Sequence, residues 1–122
     1  MAKPKTEIDQ KVYTELLGLP WPLPAIGGKF IFLRQRGRGE TGAEHIAAKR
    51  HHLKIVDIRS LPALLKAPIA HHSDSRNKNY VNYYGRRKGN KNQMFLKVIT
   101  SKDKHNRMFE TLITLYPTKK VK

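Results

Sequence analysis

The chain contains no cysteine, which excludes disulfide staples and the common cysteine-ligated zinc sites. Acidic residues are scarce, nine against 25 lysines and arginines. No clustered carboxylates offer a magnesium site, and the His45-x₃-Lys49-x₂-His52 spacing is not the i, i+4 pair of a zincin. We therefore expect no metal and no cofactor. No run approaches the roughly 18 apolar residues of a membrane span. The N-terminal MAKPKTEIDQ lacks the apolar core of a secretory signal, and neither a basic amphipathic helix nor a lipidation signal is present. The expectation is a soluble, cytoplasmic protein without a membrane partner, although delivery within a larger system is compatible with it.

What remains is cationic. The formal charge is +16 over 122 residues, far more than solubility requires, and such an excess attracts polyanions at a cost in self-repulsion. Nucleic acid is the polyanion that fits. From His71 to Arg107 ten lysines and arginines face only Asp74 and Asp103, a local net charge of +8. Tyr80, Tyr83 and Tyr84 are interleaved with them, and aromatic faces stack unpaired bases while cations neutralise phosphates. Arg50, Tyr84, Arg86, Arg87 and Lys88 are the candidate nucleic-acid-binding residues.

The length suits one domain. Residues 1–6 read as a tail, and 7–29 as a helix followed by a proline-rich wrap. Residues 30–118 read as the core. Ile8, Val12, Leu16 and Leu17 recur at helical spacing before Gly18. The prolines of LPWPLPAIGG exclude regular helix and central strand, with Trp21 expected against the core. KFIFLRQR reads as a strand. Thr41 and Glu44 fit a capping box opening a helix over AEHIAAKRHH, and a second helix is expected from Asp57 to Lys66. PIAHHS, VNYYG, QMFLKVIT and MFETLITLYP read as strands, linked by the basic loops RRKGNKN and SKDKHNR. Helices followed by an antiparallel sheet make an α+β fold.

Cleaving RNA without metal requires a base for the 2′-hydroxyl and an acid for the leaving 5′-oxygen. It also requires cations or hydroxyls around the phosphorus. Histidine suits the proton transfers, its unperturbed pKa being about 6.5. On the expected helix His45 and His52 share a face, seven positions apart. Solvation or helix capping is the other reading of these histidines, and Glu44 is already explained by the capping box. Period-two alternation puts Lys97 on a strand face with Phe95 and Ile99. The same alternation puts Thr114 and Tyr116 with Leu112, and Thr111, Ile113 and Leu115 opposite. If the aliphatic faces pack on helices, Lys97, Thr114 and Tyr116 line the open face together.

The motif order resembles a known family. KFIFLRQR, EHIAAKRHH, a helix ending in LLKAP, then NYVNYYGRRKG, FLKVIT and TLITLYPT are similar to the barnase–EndoU–colicin–RelE-like nucleases, notably their phage- and mobile-element-associated branches. The resemblance covers residues 30–118. It implies N-terminal helices packed on a four- to five-stranded antiparallel sheet, with a metal-independent RNase site on the sheet's open face. Carried over, the helix histidine falls on His45 and the second on His51 or His52. The basic strand residue falls on Lys97, and the last-strand T-x-Y on Thr114 and Tyr116. The expected function is an endoribonuclease, toxin-like or phage-related, leaving a 2′,3′-cyclic phosphate. RNA is the expected substrate, and an acidic antitoxin or immunity protein the possible partner. The alternative is a non-catalytic RNA- or DNA-binding module on the same fold.

Overall fold

A computed structural model describes residues 7–35, 42–48, 52–87 and 94–121. Helix α1 (Gln10–Gly18) starts where the Asp9 carboxylate accepts from the backbone N–H groups of Lys11 and Val12, and buries Val12 and Leu16. Its C-terminal end is tied to the proline-rich wrap by Trp21 Nε1, which donates to Leu16 O at 2.7 Å. Within that wrap Leu23–Ala25 forms β1, an edge strand, where Pro24 is tolerated. A tight turn leads into β2 (Lys29–Phe32).

The middle of the chain holds three short helices, α2 (Ala43–Ile46), α3 (Ile55–Arg59) and α4 (Leu61–Lys66). The helix expected over AEHIAAKRHH is a single turn. Ala48 leaves it to bridge Ile8, and Ala47 O accepts from Asp9 N at 2.8 Å, so the N-terminal segment takes the bonds that would extend the helix. His52 lies outside any helix at φ 54°, and the shared helical face expected for His45 and His52 does not form. The helix expected from Asp57 to Lys66 is two, meeting at Ser60, with Asp57 Oδ2 accepting from Lys54 N to open the first.

The remaining strands are β3 (Ala70–Ser73), β4 (Tyr80–Arg86), β5 (Phe95–Lys102) and β6 (Phe109–Thr118). The fold is α+β, but its sheet has six strands in the order β1-β2-β6-β5-β4-β3, and it is mixed. β2 runs parallel to β6, and all other neighbours are antiparallel. The expectation of four or five antiparallel strands missed this because β1 lies within the proline-rich segment. β2, moreover, pairs with the last strand rather than a sequence neighbour.

One face of the sheet carries Leu23, Ile31, Val81, Tyr83, Leu96, Val98, Leu112 and Leu115, which join α1, α2, α3 and α4 in one core. Gly85 belongs to this face, where a Cβ would overlap the side chain of Leu64 from α4. Two polar groups are buried here with their partners. Glu110 accepts from Tyr83 and Thr100, each at 2.6 Å, and pairs with Lys29 at 2.8 Å. Arg87 grips Asp57 through two bonds of 2.9 and 3.0 Å and donates to His52 O. Among the described residues no helix is long and apolar enough to cross a membrane.

Candidate functional site

The opposite face is polar at its centre. Register places Tyr84 beside Lys97 and Lys97 beside Tyr116, with Asn82, Ile99 and Thr114 forming the next row. His72 on β3 pairs with Asn82, and its ring lies 5.7 Å from that of Tyr84. Lys97 Nζ stands between two phenol rings, 5.7 Å from the centroid of Tyr84 and 5.8 Å from that of Tyr116. Burial would lower the pKa of this ammonium, but the hydroxyls of Tyr116 and Tyr84 outweigh it and leave the pKa raised. The charge is therefore firmly retained. Asp74, whose pKa is lowered by its bonds with Asn82 and the backbone of Arg76 and Asn77, also feels the Lys97 charge.

Buried polar atoms are normally paired. On this face the Tyr84 hydroxyl, Thr114 Oγ1 and Asn82 Oδ1 are buried with no hydrogen-bond partner of good geometry. Tyr84 lies close enough to Lys97 to raise its pKa, yet its hydroxyl bond is left unmade. Two hydroxyls and an amide oxygen thus lie beneath this face near the Lys97 cation, closed to solvent and without a hydrogen bond of good geometry. Among the described residues no group of histidines and carboxylates could hold a metal.

Lys97, Thr114, Tyr116 and Tyr84, named from the sequence, thus share one patch. The alternation behind that expectation fails locally. The β5–β6 register shifts between Ile99 and Thr100, so Thr114 pairs with Ile99 while Leu112 pairs with Thr100. Ile113 is the extra residue of this bulge. Leu112 is therefore a core residue and Thr111 joins the polar face, the reverse of their expected sides. His45 sits half-buried on α2, whose N-terminus is fastened to β6 next to Thr114 by Gly42 N donating to Ile113 O at 3.2 Å. His52 lies on the helical side, its carbonyl held by Arg87.

Among the expected nucleic-acid contacts, Arg86 is exposed. Arg87 is not: its side chain is 3% exposed and bidentate to Asp57, an internal tie rather than a phosphate ligand. Tyr83 and Tyr84 are wholly buried and have no face to offer a base. Arg50, His51, Lys88 and the Thr41 of the capping box lie outside the described residues.

Sequence reasoning passed over His72, treating PIAHHS only as a short strand. The signal was there, since alternation along A-H-H-S must send one of the two histidines to each face. His71 stacks on Tyr83, and His72 goes to the polar face. His72 Nδ1 lies 3.1 Å from Ser73 O. No family model, curated protein or solved structure matches the chain.

Proposed function

We propose that the protein is a metal-independent endoribonuclease whose site is the polar sheet face around Lys97. The observation that carries the reading is the Lys97 ammonium held between the rings of Tyr84 and Tyr116, with the hydroxyls of Tyr84 and Thr114 buried beside it without a hydrogen bond of good geometry. A phosphorane carries more negative charge than the phosphodiester it forms from, so a fixed cation and hydroxyl donors favour the transition state over the ground state. His72 lies on β3 beyond Tyr84, and His45 belongs to the turn whose Gly42 end is fastened to β6 beside Thr114; we assign the two proton transfers to these histidines. His72 takes the 2′-hydroxyl proton, and the 2′-oxygen attacks phosphorus. His45 supplies a proton to the departing 5′-oxygen, and a 2′,3′-cyclic phosphate remains. Lys97 faces the equatorial oxygens, and Thr114 and Tyr116 orient the phosphate. The net charge of +16 brings the substrate to this face.

The test is cleavage of a single-stranded RNA in excess EDTA, with the 3′ products analysed for a cyclic phosphate. His72→Ala and Lys97→Met should each lower the rate about 10²–10⁴-fold with the melting temperature little changed. Their combination should lose less than the product of the two, since both serve one step. Salt-sensitive RNA binding with cleavage no faster than for Lys97→Met would leave the non-catalytic binding module as the correct reading.

A further inference from the structure

The polar face continues past the Lys97 patch into a region with a different character. Phe30 and Phe109 are Cα partners across the parallel β2–β6 pair, and both are substantially exposed, at 41% and 37%. Phe32 shares their face and meets Phe109 edge-on at 4.9 Å. Isolated exposed apolar residues are ordinary, but three phenylalanines presented together on one sheet face are not. Beside them a cleft of about 300 Å³ opens between Arg34, Lys102 and Lys104, floored by Ser101 and Thr111. Thr111 is the register partner of Phe32, so cleft and aromatic strip adjoin. One acid, Asp103, also lines the cleft; its Oδ2 accepts from the backbone N–H groups of His105 and Asn106, both at 2.8 Å. The cleft thus offers an anion three cations against one carboxylate, and two hydroxyls, next to flat apolar rings.

We propose that the Arg34–Lys104 cleft and the Phe30–Phe109 strip form a nucleotide subsite, the cleft taking a phosphate of single-stranded RNA and the rings stacking an unpaired base. This rests on the RNA reading of the neighbouring Lys97 patch and adds a separate binding place to it. Stacking accepts any base, because every base has a π-face, so the subsite favours unpaired RNA over duplex without selecting a sequence. It lies on the strands that carry the Lys97 patch. Ser101 is four residues from Lys97 along β5, about 13 Å at the rise of a strand. One extended strand of RNA can therefore reach both. Charge complementarity favours this occupant over a second copy of the chain, whose own cleft would bring like charges together.

The experiment measures binding of two labelled probes of equal length, a 2′-O-methylated single-stranded oligonucleotide and an abasic sugar-phosphate strand. Both are 2′-O-methylated throughout, so neither has a free 2′-hydroxyl to attack and affinity is read apart from catalysis. The unaltered protein should bind the base-bearing probe more tightly. Phe109→Ala should weaken that binding by roughly 5- to 150-fold and leave the abasic probe unaffected, as should Phe30→Ala, while Phe109→Trp restores it. Arg34→Ala with Lys104→Ala should lower the salt slope for both probes by about 1.4 units. Equal affinity for the two probes, or equal losses on both in Phe109→Ala, would overturn the subsite while leaving RNA binding in place. Binding of neither probe would overturn both readings. A dimer in sedimentation that Phe109→Ala dissociates would give the strip to a second copy instead.

Discussion

Replacing Asp57 by alanine leaves the Arg87 guanidinium buried without its counter-charge. Both side chains are 3% exposed, and the pair is bidentate. Removing one partner of such a pair costs about 3–5 kcal/mol. The same carboxylate also accepts from Lys54 N at the start of α3, and losing that bond adds about 1 kcal/mol. The sum approaches the whole stability of a small domain, about 5–15 kcal/mol. At a urea m-value near 2 kcal/mol/M the unfolding midpoint should fall by about 2–3 M. Exchanging both residues for apolar ones, Asp57→Leu with Arg87→Met, removes the stranded charge, and much of the lost stability should return. Urea titrations followed by circular dichroism on the two single variants and the double variant supply the cycle. A double variant as destabilised as the sum of the singles would show that the pair is not coupled and refute the reasoning. The same variants bear on recognition. If Arg87 is an internal tie, the folded double variant keeps the salt slope of RNA binding, whereas Arg86→Ala reduces it by about 0.7–0.9.

Glu110 should make the fold acid-sensitive. Burial raises its pKa, but Lys29, Thr100 and Tyr83 outweigh burial and leave it lowered. Its contribution is therefore complete above the usual glutamate pKa of about 4.3 and lost as pH falls through the lower folded value. Glu110→Gln should flatten that acid limb in thermal melts between neutral and acid pH; an unchanged limb would exclude Glu110 as its source. Gly85→Ala should cost about 1–3 kcal/mol by forcing Leu64 aside, measured as a lower melting temperature, and Leu64→Ala in the same chain should recover part of it. Cleavage should continue in millimolar EDTA; activity lost on chelation and restored by magnesium would contradict the histidine mechanism.

Much of the sheet was legible because its strands announce themselves locally. VNYYG, FLKVIT and TLITLYP are β-branched and aromatic, and alternation correctly grouped Lys97 with Tyr116. Features set by distant partners were not legible. Nothing near Ala47 indicates that Asp9 N will claim its carbonyl, and so the helix through His45 looked about three turns long where the structure gives one, Ala43–Ile46. The bulge at Ile113 has no sequence signature of its own, yet it exchanges the faces of Leu112 and Thr111. Tyr83 and Tyr84 looked like stacking residues because composition cannot distinguish a surface tyrosine from one walled in by neighbouring strands. Phe30 was readable only as part of an apolar strand, since its exposure depends on which strand β2 joins.

The parallel pairing of β2 with β6 also governs when the molecule can form. Phe30 and Phe109 are 79 positions apart, so the N-terminal strands cannot dock until the last strand has emerged and paired with β5. Closing such a distant contact is slow compared with forming a hairpin. During that interval Leu23 and Ile31, destined for the core, have no sheet to cover them. The strand edge of β6 that β2 will occupy is likewise uncovered. Once β6 is available, the β3–β6 antiparallel block can form while the β1–β2 hairpin still waits, and the two halves of the proposed RNA surface join only at this final step. A nascent chain would then be most prone to wrong strand pairing just before it acquires its full binding face, and slowing that last docking should increase aggregation more than it lowers the stability of molecules that finish.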